Sequence, residues 1–249
     1  MSRLADRIKR VARPETAPMG FGLATQRRPS PTLLCMLALD NEQVGKVGTA
    51  AGSADAVIDT GLDAGALEQP IEKLGDLPVG LRLESPERAA VASARGAGAD
   101  FVLLDERASA EAVLEEGVGL ILSIDKDVGD TELRVLAGLP LEALEVLSVA
   151  EPLTLRGMLE LRRLSMFSQT PLLVEVQPEI GASRLQALRQ SGAVGVILDG
   201  KHADKLAALR EAVLSLPPRG RRREERAEAL LPPLAAVPAD EEEEEPDYP

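Results

Sequence analysis

The stretch GADFVLLD, residues 98–105, contains the unit that decides the fold: a short apolar run that ends in a carboxylate. A close copy, GAVGVILD, occupies residues 192–199. Six further short apolar runs, most of which also end in a carboxylate, lie between Thr32 and Leu216, and a stretch with helical spacing follows each run. Because parallel strands are buried on both faces and read as continuous apolar runs, this alternation indicates an α/β protein with a parallel sheet.

We predict eight strands in this core. They are Thr32–Leu39, Ala54–Asp59, Val79–Glu84, Ala99–Asp105, Gly119–Asp125, Ala143–Val149, Pro171–Val176 and Ala193–Asp199. Eight β/α units with right-handed crossovers close most naturally into a (β/α)8 TIM barrel. An open doubly wound sheet is the alternative, but the first strand is followed by the sequence LDNE (residues 39–42), which lacks the glycine fingerprint of a dinucleotide-binding sheet.

The two ends of the chain differ from this core. Residues 1–31 combine a short amphipathic helix, with Leu4, Ile8 and Val11 on one face, and a linker rich in proline and glycine. We expect the helix either to close the amino-terminal end of the barrel or to dock on a protein partner or membrane surface. Residues 217–249, with a basic run and five consecutive glutamates, have the composition of a disordered tail.

Composition excludes several classes of function. The net charge of −13 and the near absence of aromatic residues argue against a nucleic-acid partner, because phosphate backbones are repelled and stacking platforms are missing. A single cysteine (Cys35) and a single histidine (His202) cannot form a structural Cys/His zinc site. We see neither a transmembrane run nor a secretory signal, and therefore expect a cytoplasmic protein.

Alternation along the strands predicts which polar side chains point into the barrel. In Val79–Glu84 the apolar residues should face the helices, which turns Arg82 and Glu84 inward. The same argument turns Glu175 and Gln177 inward. Active sites of such barrels form at the carboxyl ends of the strands, so we expect a site there. The alternative is a solvated rim in which these acids cap helices or form structural ion pairs.

Two loops are candidates for phosphate binding, which is common after the seventh and eighth strands of such barrels. Gly181 and Ser183 can offer amides and a hydroxyl at a helix start, while Gly200 and Lys201 follow Asp199. Together with Gln177, these residues form the predicted substrate-binding set. Thr154 and Ser183 are also candidate helix caps.

The pattern from Thr32 to Leu216 resembles the aldolase-type and ribulose-phosphate-binding barrels, and it also resembles bacterial barrel proteins of unknown role. The third and fourth units echo the seventh and eighth, as PVGLRLE (78–84) and PLLVEVQ (171–177) show. This echo and the acids Asp40 and Asp125 are similar to the sugar-phosphate isomerases of histidine biosynthesis. That resemblance implies that the two aspartates act as general acid and base.

Two functions follow as hypotheses. In the first, the protein is a lyase or isomerase acting on a small carbonyl compound, phosphorylated or not. Asp40 and Asp125 carry protons, Arg82 holds an anionic group, and Glu84 with Glu175 binds Mg²⁺ through carboxylate oxygens. The predicted catalytic set is Asp40, Arg82, Asp125 and Glu175. In the second, the barrel is a non-catalytic binding or scaffold protein that uses its charged termini, since no family motif is complete.

Overall fold

The eight predicted strands form one closed parallel barrel. The computed structural model describes residues 2–12, 31–40, 50–61, 76–84, 86–149 and 152–217. The strands are β1 (Leu34–Leu39), β2 (Ala56–Asp59), β3 (Val79–Arg82), β4 (Phe101–Leu104), β5 (Gly119–Ile124), β6 (Ala143–Val146), β7 (Leu172–Val176) and β8 (Ala193–Asp199). Because β1 pairs with both β2 and β8, the sheet has no open edge. The predicted (β/α)8 TIM barrel is confirmed, and the open doubly wound sheet is excluded.

Helices surround the barrel and close its amino-terminal end. They are α1 (Arg3–Ala12), α2 (Arg88–Gly96), α3 (Asp130–Leu136), α4 (Leu155–Ser168), α5 (Ala182–Gln190) and α6 (Leu206–Leu214), with shorter 3-10 helices at Ala50–Ser53, Ala110–Leu114 and Gly200–Lys205. None of the helices in the described ranges is long and apolar enough to cross a membrane. The predicted linker from 13 to 30 and the predicted tail after Pro217 lie outside the described residues.

One predicted helix cap is confirmed and one is wrong. The Thr154 hydroxyl accepts a hydrogen bond from the Gly157 amide at 3.1 Å, as expected for the residue that precedes α4. Ser183 does not cap α5, because that helix already begins at Ala182 and Gly181 occupies the cap position. Glycine tolerates this position without supplying a side-chain acceptor.

The strands alternate between two cores. Met36, Leu103, Ile121 and Leu173 fill the barrel interior, whereas their chain neighbours pack between the sheet and the helices. Phe101 is the largest of the fully buried side chains, and its ring lies against Gly80 on the neighbouring strand. A β-carbon at position 80 would overlap that ring, so the glycine makes room for the aromatic residue inside the barrel.

Helix α1 closes the amino-terminal end of the barrel. Its apolar residues Leu4, Ile8 and Val11 are 0%, 3% and 6% exposed, and they belong to the same cluster as the interior strand residues. The Asp100 carboxylate, just before β4, accepts hydrogen bonds from the amides of Arg3 and Leu4, each at 2.9 Å. An acid at a helix start satisfies free amides and complements the helix dipole. The apolar face is therefore used within the barrel and is not available to a membrane or partner.

The buried Cys35 gives stability a specific dependence on pH. Burial raises the pKa of its thiol to about 12, and the Asp55 carboxylate adds to the shift. The pKa of a cysteine thiol in an unfolded chain is about 8.5, so above that pH the unfolded chain loses a proton that the folded chain keeps. The stability that the protonated Cys35 thiol gives the folded state is therefore complete below about pH 8.5, and it is lost as the pH rises toward the pKa of the folded thiol.

We therefore expect the free energy of unfolding of the wild type to fall faster than that of Cys35→Ala in alkali. The free energy of unfolding of the wild type should fall by about 2 kcal/mol more than that of Cys35→Ala between about pH 8 and pH 10. Urea unfolding of both proteins across this range measures it. Parallel pH profiles would contradict the expected coupling, because all other titrating groups are common to the pair.

Candidate active site

The carboxyl end of the barrel holds a cavity of about 220 Å³. The polar side chains that line it come from β3, β6, β7 and β8 and from residues just after β1, β2 and β8. The lining residues are Ala38, Asp40, Thr60, Arg82, Glu145, Glu175, Ile197, Asp199 and Lys201. The carboxyl mouth is the place where barrels of this architecture carry their chemistry.

An ion pair crosses the barrel and forms part of the cavity wall. Arg82 on β3 reaches Glu145 on β6 through two hydrogen bonds, from Nη1 to Oε2 at 2.8 Å and from Nη2 to Oε1 at 2.6 Å. The Ser123 hydroxyl on β5 donates to Glu145 Oε2 at 2.6 Å. Glu145 is 3% exposed and Arg82 is 30% exposed, so the carboxylate depends on these partners while the guanidinium still reaches the cavity.

The charges around Arg82 fix its protonation state. Burial by itself lowers the pKa of the guanidinium, but the hydrogen bonds and charge of Glu145, together with the charge of Glu175, outweigh burial and raise it. Arg82 is therefore a permanent cation in a cavity that is otherwise mostly acidic. In the described part of the chain, Glu145 and Ser123 are the hydrogen-bond partners found for this guanidinium.

Residues after β8 shape the opposite wall. The Asp199 carboxylate accepts a hydrogen bond from the Lys201 amide at 2.9 Å and caps the 3-10 helix that follows. The Lys201 ammonium lies 3.6 Å from the other Asp199 oxygen. Asp199 therefore caps a helix and also lines the cavity. The sequence left open whether strand-end acids form a site or cap helices, and this residue does both.

The structure brings about half of the predicted site residues together. Asp40, Arg82 and Glu175 of the predicted catalytic set line the cavity with Asp199 and Lys201 of the predicted substrate-binding set. The others do not line it: Asp125, Glu84, Gln177, Gly181, Ser183 and Gly200. Glu84, Asp125 and Gln177 lie beyond the ends of β3, β5 and β7 and are exposed.

No cluster of three or more potential metal ligands occurs among the residues that the structure describes. Glu175 lines the cavity and Glu84 does not, so the predicted pair does not share one wall. Magnesium binding at this mouth stays a prediction.

Glu145 is a charged cavity residue that sequence analysis missed. It lies in the strand ALEV (143–146), where the alternation that selected Arg82 also applies: Leu144 and Val146 pack outward, so Glu145 points inward. A lone carboxylate inside an apolar run is costly to bury without a partner. That pattern, combined with the inward Arg82, was the available signal for the ion pair.

The closed eight-stranded parallel sheet with its surrounding helices makes the chain a (β/α)8 TIM barrel. It is similar to a mutant tryptophan synthase alpha subunit from the hyperthermophile Pyrococcus furiosus, with 15% identity, a TM-score of 0.56, and coverage of 74% of this chain and 97% of that one. It is also similar to a chain of the tryptophan synthase complex from the same organism, with 14% identity, a TM-score of 0.57, and coverage of 74% and 98%.

Identities this low establish a shared fold and do not transfer an activity. No family model matches the chain. No curated protein matches it either. Function must therefore be argued from the site itself.

Proposed function

We propose that the barrel is an enzyme, a lyase or isomerase that acts on a small carbonyl compound by proton transfer between carboxylates. The observation that carries this proposal is that Arg82 on β3, Glu175 on β7 and Asp40 just after β1 line one cavity at the carboxyl end. Carboxylates held near a cation are suited to acid–base work on a carbonyl, since the cation stabilises charge that develops on oxygen.

Each residue has a role that follows from its position. Glu145 holds the Nη1–Nη2 edge of Arg82, which leaves the Nε side of the guanidinium to polarise a carbonyl oxygen. One of Asp40 and Glu175 acts as a carboxylate and removes a proton from the adjacent carbon, while the other acts as a carboxylic acid and gives its proton to the enolate, so that the two side chains exchange protonation states in each turnover. Glu175 thereby takes the role expected for Asp125, which lies outside the cavity.

The sign of the charge favours a substrate without phosphate. Four carboxylates and two basic side chains line the cavity, and both basic groups are paired, Arg82 with Glu145 and Lys201 with Asp199. A dianionic phosphate would meet net repulsion there. The volume of about 220 Å³ also suits a compound of only a few carbon atoms.

The test is proton exchange in D₂O with hydroxyacetone, dihydroxyacetone and glyceraldehyde, followed by proton NMR, with Mg²⁺ and with EDTA. Wild type should exchange the protons next to the carbonyl of at least one compound faster than buffer does. Asp40→Asn and Glu175→Gln should each lower that rate by about 100-fold or more. Asp125→Asn is the matched control and should leave the rate unchanged.

The second candidate is a non-catalytic barrel, and the bidentate pairing of Arg82 with Glu145 favours it. A pair of this kind fills the interior and can serve stability alone. Exchange indistinguishable from buffer for all three compounds, under both metal conditions, would favour this candidate over the enzyme.

A further inference from the structure

The outer wall of the barrel is incompletely covered after β4. In this architecture each strand is followed by a helix that covers the sheet. After β4 the chain instead forms the 3-10 helix Ala110–Leu114, only five residues long, before entering β5. The chain is described without a gap from 86 to 149, so this stretch of wall is fully defined.

A cavity of about 320 Å³ lies between this 3-10 helix and α3. Its floor includes Leu104 and Leu122, which point away from the barrel interior because their neighbours Leu103 and Ile121 belong to the interior cluster. Leu136 contributes to the wall on the α3 side. This outer cavity shares no lining residue with the cavity at the carboxyl mouth.

The outer cavity has the dimensions of a small-molecule site. Its volume falls at the lower end of the range of about 300–1,000 Å³ for ligand pockets. At about 30 Å³ for each water-sized group, it holds about ten non-hydrogen atoms. Of the large apolar residues that are exposed in the described chain, only Leu139 lines it, so its apolar surface is recessed and does not form the broad patch that a protein interface needs.

The rim of the outer cavity is acidic. Asp105, Glu106 and Glu132 line it, and no basic residue does. Arg107 pairs with Asp105 at 2.8 Å, which leaves the charges of Glu106 and Glu132. Glu132 is fixed in place, since its Oε2 accepts a hydrogen bond from the Gly129 amide at 3.0 Å. An apolar floor with carboxylates at its edge complements a molecule that has an apolar body and a cationic head.

We propose that this outer cavity is a binding site for a small amphipathic amine. The apolar body lies on Leu104, Leu122 and Leu136, and the ammonium group meets Glu106 and Glu132. The site is separate from the proposed active site and stands whether or not the barrel is an enzyme.

The experiment compares 2-phenylethylamine with 2-phenylethanol, which has the same size and no charge, by titration calorimetry on the full chain. The amine should bind about fivefold tighter than the alcohol, and added salt should reduce this preference. In Glu106→Gln/Glu132→Gln the two probes should bind equally. Glutamine at position 132 keeps an acceptor for the Gly129 amide, so the variant tests charge and not folding.

A cavity-filling variant tests the location. Ala110 is exposed and lines the outer cavity, so Ala110→Leu should weaken binding of both probes, whereas Ala89→Leu, an exposed alanine on α2, should not. The proposal is overturned if wild type binds neither probe at millimolar concentration, or if Ala110→Leu and Ala89→Leu behave alike. It is also overturned if wild type is a dimer that Ala110→Leu dissociates, because the cavity would then be an interface.

Discussion

Deletion of residues 2–12 is expected to lower the free energy of unfolding by about 5 to 9 kcal/mol. Three apolar side chains of α1, Leu4, Ile8 and Val11, are buried against the barrel interior, and burying each contributes about 1.5 to 3 kcal/mol. The deletion also exposes the interior residues that α1 covers. Urea unfolding at neutral pH measures the loss, and a deletion protein that does not fold would agree with it.

A double substitution keeps the experiment informative if the deletion protein cannot be purified. Leu4→Ala/Ile8→Ala should cost about 4 to 6 kcal/mol, because each truncation removes buried methyl groups and leaves a cavity. For a domain of this size the melting temperature should fall by about 2 to 4 °C per kcal/mol. Arg10→Ala, an exposed position on the same helix, is the control and should change stability by less than about 0.5 kcal/mol. Unchanged stability in the double variant would contradict the closing role of α1 and favour the alternative that this helix docks on a protein partner or membrane surface.

The fold could be predicted from sequence because the information lies in repetition. Eight apolar runs, most of them ending in a carboxylate and each followed by helical spacing, leave few ways to bury all the strands on both faces. The sequence could not show that α1 covers the end of the barrel. An amphipathic pattern indicates that a helix packs against an apolar surface, but it does not identify that surface. The hydrogen bonds from Arg3 and Leu4 to Asp100, 97 and 96 residues away, decide it.

The site was less predictable, because it depends on where each strand ends. Alternation gave the inward direction of Arg82 and Glu175, and both line the mouth cavity. The same rule extended to Glu84 assumes that β3 continues past Arg82, but pairing stops there and Glu84 is exposed. Element boundaries are the least reliable part of a sequence-based assignment, and a difference of two residues moves a side chain out of the barrel.

The Arg82–Glu145 pair should show an asymmetric response to substitution. Arg82→Met should cost about 3 kcal/mol, since it leaves the 3% exposed Glu145 carboxylate without its cation. This value is at the low end for buried pairs because Arg82 is 30% exposed and solvent screens it in part. Glu145→Leu should cost less, about 1 to 2 kcal/mol, because the guanidinium that remains can turn toward solvent.

The double variant Arg82→Met/Glu145→Leu should recover most of the stability that Arg82→Met loses and lie within about 1 kcal/mol of wild type, since an apolar pair of similar volume avoids the cost of burying charges. Urea unfolding of the four proteins forms a double-mutant cycle, and additive losses would show that the two side chains are not coupled. The same four proteins in the D₂O exchange assay separate structure from catalysis. If the double variant is stable and inactive, the pair exists to hold a cation in the mouth cavity, because stability alone does not require it. If the double variant is stable and exchanges protons at the wild-type rate, Arg82 has no part in the chemistry and its role is to fill the barrel.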